Sequence, residues 1–164
     1  MSDEWWIRMV DLVVPYAMAG RWEGTDFMPF DGLVTPGLEE CFSAMTWHAY
    51  GQGHYGTLGH FSLRTPPERF DEYFVWLKKH VPFSPFAKLF LVGGRTGHSK
   101  DAIHELEERL HRENFPKAQK DVLGRDRRNV RLARDGKVQI AYYSQHLADR
   151  DEVEYVCVGT KVLE

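Results

Sequence analysis

At 164 residues, 43% apolar and 13% aromatic, the chain suits one domain with a core of its own and is too apolar to be disordered. Its 21 basic and 24 acidic residues leave a formal charge of -3, which gives no reason to expect a nucleic-acid or other polyanion partner. No apolar run is long enough to span a bilayer, so membrane insertion is not expected, and the acidic start Met1-Ser2-Asp3-Glu4 is unlike a secretory leader. Trp5 to Val14 is rich in aromatic and β-branched residues and reads as a first strand stopped by Pro15. Tyr16 to Asp31 carries Gly20, Gly24 and Pro29 and reads as an irregular loop whose Trp22, Phe27, Met28 and Phe30 pack on the domain body, a substrate-contacting surface being the alternative. Leu33-Val34-Thr35 is a short strand entering a Pro36-Gly37 turn. From Cys41 an alternating pattern predicts a strand to about Tyr50, then a glycine-rich loop over 51–56, then a partner strand from Thr57 to Leu63.

Pro66-Pro67 opens a helix, a position where the missing amide costs nothing. Phe70, Tyr73, Phe74 and Leu77 make its apolar face, and Pro82 and Pro85 end it. Lys88 to Val92 is a strand apolar enough to be buried on both faces. The Gly93-Gly94 turn that follows lacks the pattern of a phosphate-binding loop and leads to a helix from Lys100 to about Arg112, with Ser99 as its N-cap. Lys117 to Gly124 reads as a turn region, and Arg125, Arg127 and Arg128 as surface charge. Asp135-Gly136 between Arg128–Leu132 and Val138–Tyr143 is a strong hairpin signal, and Glu154 to Val158 is a closing strand with Cys157 buried. About eight short strands in hairpin order with two principal helices predict a single α+β domain over residues 1–164.

Two cysteines make no disulfide framework, so a reduced, cytoplasmic setting is expected. Eight histidines show no metal-ligand spacing, and no metal or other cofactor is expected. The chemistry centres on Cys41 and His60, nineteen positions apart across the predicted hairpin. A thiol becomes a good nucleophile only when a neighbouring base takes its proton, and an imidazole can take that proton and return it to a leaving amine. In the predicted pairing the two side chains meet across the hairpin, at the end away from its loop.

Asp31-Gly32-Leu33-Val34-Thr35-Pro36-Gly37-Leu38-Glu39-Glu40-Cys41 resembles the segment D-x-L-V-T-x-G-L-G-S-C of the CheD family of chemoreceptor glutamine deamidases. Gly56-Thr57-Leu58-Gly59-His60-Phe61-Ser62-Leu63 resembles that family's G-G-x-x-H-x-x-L segment. The resemblance implies a layered α/β/β sandwich with mostly antiparallel strands and two helices on one side. It also implies a catalytic set of Cys41, His60 and Thr35 that converts a partner protein's glutamine to glutamate, chemoreceptor helices being the family's substrate. Leu38, Glu40 and Gly59, flanking that set, are the candidate substrate-binding residues. Backbone N–H groups of Cys41 and the residues before it are expected to hold the developing oxyanion. Where the family has Gly-Ser before the cysteine, this chain has Glu39-Glu40, two carboxylates that oppose thiolate formation. A catalytically silent CheD-like binding module is therefore one alternative. Another is a toxin-like effector, because glutamine-deamidating toxins such as the cytotoxic necrotizing factors share that fold and Cys/His pair.

Overall fold

A computed structural model describes residues 12–13, 20–23, 32–50, 53–147 and 153–164. The described residues form ten strands and two α-helices. In chain order these are β1 (Leu12–Val13), β2 (Gly20–Glu23), β3 (Gly32–Leu38), β4 (Phe42–Tyr50), β5 (Gly53–Phe61), α1 (Pro67–His80), β6 (Lys88–Gly93), α2 (Lys100–Arg112), β7 (Gln119–Val122), β8 (Arg127–Ala133), β9 (Val138–Leu147) and β10 (Val153–Leu163). One sheet has the order β1-β3-β8-β9-β10 and the other β2-β5-β4-β6-β7. Only the β1–β3 and β6–β7 pairings among these are parallel.

Side-chain alternation sets the layering, because successive residues of a strand point to opposite faces. On the second sheet Phe42, Ala44, Phe61, Leu89 and Leu91 pack with helix residues that include Tyr73, Leu77, Leu106 and Leu110. Met45, Leu58, Phe90 and Val92 point the other way and meet Leu33, Leu38, Val130, Leu132 and Ile140 of the first sheet. The order is therefore helices, sheet, sheet: an α+β sandwich in which the described residues form one core in each interface and a smaller cluster of Val34, Ala141 and Tyr143 on the first sheet's other face. β6 contributes to both interfaces, as its continuous apolar run predicts. No helix among the described residues is long and apolar enough to cross a membrane.

Several boundaries differ from the sequence reading. Most of the predicted first strand and most of the 16–31 loop, with the packing expected of Phe27, Met28 and Phe30, lie outside the described residues, as does the side chain of Trp22. Within that loop Gly20–Glu23 is nonetheless a strand paired with β5. β3 runs on through Pro36-Gly37, which sits at a register shift between Thr35 and Leu38 and not at the strand's end. Gly37 there has φ +72°, which glycine adopts without strain. Residues 53–56 of the expected loop belong to β5 instead, which stays paired with β4 out to Tyr50 and Gly53. Within Lys117–Gly124 lies a strand, β7, lying parallel to β6; its sequence Gln-Lys-Asp-Val carries almost no apolar signal. Arg128 is buried, not surface charge, and Cys157 is half-buried, where a buried residue was expected.

Candidate active site

Thr35 and His60 reach each other across the two sheets. Thr35 shares the inward face of β3 with Leu33, and His60 shares the inward face of β5 with Leu58; both leucines belong to the core between the sheets. A hydrogen bond of 2.7 Å joins Thr35 Oγ1 and His60 Nδ1. Thr35 is fully buried and His60 partly so. For Nε2 to accept a proton, Nδ1–H must donate to the threonine oxygen. Burial of the ring lowers the pKa of His60, so the imidazole is neutral near pH 7 and keeps a basic nitrogen.

Cys41 lies one residue before β4 and packs partly against the same core. His60 stands opposite Ser43, so Cys41 is its diagonal neighbour and not, as expected, its direct cross-strand partner. Diagonal pairs stand about 7–8 Å apart in backbone. Among the described residues Cys41 Sγ makes no hydrogen bond, and neither does His60 Nε2. The two side chains share one layer without a hydrogen bond between them, and catalytic hydrogen bonds often form only once substrate binds. The Cys41 pKa is raised, first by burial and then by the Glu40 and Glu39 carboxylates. At rest the site thus holds a protonated thiol and a neutral imidazole.

No protein-family model matches the chain, and a search of curated proteins returns no match.

The residues before the cysteine are held from several directions. Gly37 N–H donates to Asn129 Oδ1 at 2.8 Å. Tyr155 OH donates to Glu39 Oε1 at 2.8 Å, and Arg127 lies over the Tyr155 ring at 4.6 Å. Ser99 Oγ donates to the Glu40 carbonyl at 2.8 Å, and Gly94 N–H donates to the Cys41 carbonyl at 2.8 Å. With both carbonyls engaged, the N–H groups of Glu40 and Cys41 donate no hydrogen bond among the described residues, which suits them to receive an oxyanion. Glu39 and Glu40 are not among the positive-φ residues, so replacing the family's Gly-Ser by carboxylates strains no backbone here.

Of the candidate substrate contacts, only Glu40 is exposed; its Oε1 lies 3.5 Å from His98 Nδ1. Leu38 is 0% exposed in the core between the sheets and cannot reach a substrate. Gly59 faces the helical layer, where a Cβ would meet Phe61 and Tyr73 ring atoms at 2.8 and 3.0 Å; its role is close packing. Ser99 does not cap α2 with its side chain; the hydroxyl serves Glu40 and accepts Arg95 N–H instead.

The Gly93-Gly94 turn, read from the sequence as structural, and Arg128, read as surface charge, together support the residues around Cys41. Arg128 Nε donates to Asp121 Oδ2 at 3.1 Å, Nη1 reaches the Gly94 carbonyl at 3.4 Å, and Nη2 donates to the Leu123 carbonyl. One guanidinium thus ties β8 to the turn that holds Cys41. Gly93 has φ +106°, and a Cβ there would lie 2.7 Å from the Cys41 carbonyl oxygen and 3.0 Å from Phe42 Cα. Both neighbours are backbone and cannot swing aside. Gly93→Ala is expected to cost about 2–4 kcal/mol in urea unfolding, from strain plus overlap; an unchanged midpoint would show that the turn adapts.

Proposed function

We propose that this chain is a CheD-like protein-glutamine deamidase, a cysteine-dependent amidohydrolase acting in the cytoplasm on glutamine side chains of a partner protein. The Thr35–His60 hydrogen bond carries the reading, because it fixes the ring of a base lying diagonally across a strand pair from the thiol. In the mechanism, His60 Nε2 takes the Cys41 proton as Sγ attacks the glutamine Cδ. The N–H groups of Glu40 and Cys41 receive the charge that develops on the amide oxygen. The C–N bond then breaks, ammonia leaves with the proton from His60, and a thioester remains. Water attacks the thioester as His60 accepts its proton; the C–S bond breaks, the sulfur is reprotonated and glutamate is released.

Glutamine-bearing chemoreceptor helices are the first substrates to try, and an effector attacking some other protein would use the same steps. Ammonia release from such helices, with the Cys41→Ala variant alongside, tests the reading. Release that depends on Cys41 supports it; equal release from both proteins, or none from either, overturns it. Thr35→Val is expected to lower kcat on the order of 10²-fold by freeing the ring, while Thr35→Ser restores most of the rate. A steady-state comparison of the three proteins checks this, and an unchanged kcat in Thr35→Val would remove the orienting role.

The raised thiol pKa favours a second reading, a silent CheD-like module that binds the same partners without turnover. Iodoacetamide separates the two. Labelling of Cys41 at neutral pH that His60→Ala slows marks a base-assisted thiol, and labelling that His60→Ala leaves unchanged marks the silent module.

A further inference from the structure

Away from Cys41, a cavity of about 710 Å³ opens between α2 and the segment leading to β7 and reaches down to Leu89 of β6. Its size falls in the range of small-molecule sites. Leu89, Phe115 and Ala118 give it an apolar floor.

One wall is rigid. Asn114 takes φ 64° just past α2, and Phe115 N–H donates to the Leu110 carbonyl at 3.1 Å, the bonding of a Schellman helix stop. Ser84 Oγ adds a 2.7 Å hydrogen bond to the Glu113 carbonyl. Pro116 then fixes the chain direction along the cavity.

The charges on the rim are unevenly committed. Of its acids, Glu107 pairs with Lys120 at 3.1 Å, and Glu108 Oε1 lies 3.2 Å from His104 Nε2. The cations Arg112 and Lys117 form no ion pair or hydrogen bond among the described residues. His111 adds a third basic side chain on the same rim. We infer that this cavity binds a small amphipathic carboxylate, with its apolar body on Leu89, Phe115 and Ala118 and its anionic head against Arg112 and Lys117. The inference does not depend on the chemistry proposed for Cys41.

Decanoate and decyltrimethylammonium share a tail and differ in the sign of the head group. Titration of the intact protein with each, below its critical micelle concentration, tests the assignment by calorimetry and by chemical shifts of Leu89 and Ala118. Saturable decanoate binding, about tenfold tighter than that of the cation and reduced to parity in Arg112→Ser/Lys117→Ser, is the expected result; two exposed pairs provide about that factor. Both substituted positions are exposed, so the variant keeps the fold. Equal affinity for the two amphiphiles, no saturable binding, or decanoate binding unchanged in the double variant would overturn the proposal.

Discussion

His60→Ala is expected to lower kcat/KM for glutamine deamidation by about 10²–10⁴-fold, the range associated with loss of a positioned general base. The pH profile should change with it. Burial lowers the His60 pKa, so the wild-type rate should hold to below pH 6.5, the free imidazole value, and fall only where the ring protonates. The Cys41 pKa is raised, so the thiol stays protonated through neutrality and into alkaline solution. Between those limits a neutral base and a neutral thiol coexist and the rate is flat. Without His60 only spontaneously formed thiolate reacts, and the residual rate should climb with hydroxide across the same interval. A wild-type rate that itself climbs steadily from neutral to alkaline pH would mean that no base assists the thiol.

Arg128→Ala should give the largest loss of stability, about 3–5 kcal/mol, as expected when one partner of a buried ion pair is removed. Arg128 is 4% exposed, and its partner Asp121 also accepts the Tyr142 hydroxyl. Tyr142 pays for that contact with a raised pKa, through burial first and the Asp121 hydrogen bond and charge next. Without the guanidinium the Asp121 carboxylate keeps, among the described residues, that hydroxyl and a distant Lys161, 3.9 Å away. The carbonyls of Gly94 and Leu123 lose their donor in the same step. For a chain of this length the melting temperature should fall by about 6–20 °C. Asp121→Leu in the same protein should recover part of the loss, since it removes the stranded charge. A fall in stability below about 1 kcal/mol would show that water replaces the arginine at low cost.

Much of this architecture is legible in the chain because local pattern and final environment agree. Phe70, Tyr73, Phe74 and Leu77 fall on one face of α1, and all four pack into the core between helices and sheet. Lys88 to Val92 reads as almost wholly apolar because both faces of that strand are covered. The Asp135-Gly136 turn needs a residue with positive φ, and Gly136 has φ +85°.

What the sequence hides is long-range. β7 is a strand because β6 lies beside it, not because Gln-Lys-Asp-Val favours one. Arg128 stands in a run of arginines that looks solvated; its partners Gly94 and Asp121 are 34 and 7 positions away. At the site, the T-x5-C segment and the G-H pair lead to Thr35, Cys41 and His60, and Thr35 does meet His60. The diagonal offset of Cys41 was not visible, because it depends on β4 starting at Phe42 and pairing with Phe61. Leu38 and Gly59 look like site residues only by adjacency. Strand alternation turns one into the core between the sheets and the other toward the helices.

The central claim is that the Cys41 sulfur forms a covalent bond to the carbon of a glutamine side chain. Acid-quenching the protein during turnover of a glutamine-bearing polypeptide, followed by mass analysis of the Cys41 peptide, tests this most directly. The expected species is a thioester whose mass is that of enzyme plus substrate less ammonia, absent in Cys41→Ala and accumulating in His60→Ala supplied with an activated ester of the same side chain. Glutamate formed at the wild-type rate with Cys41 unmodified, or from Cys41→Ala, would contradict it.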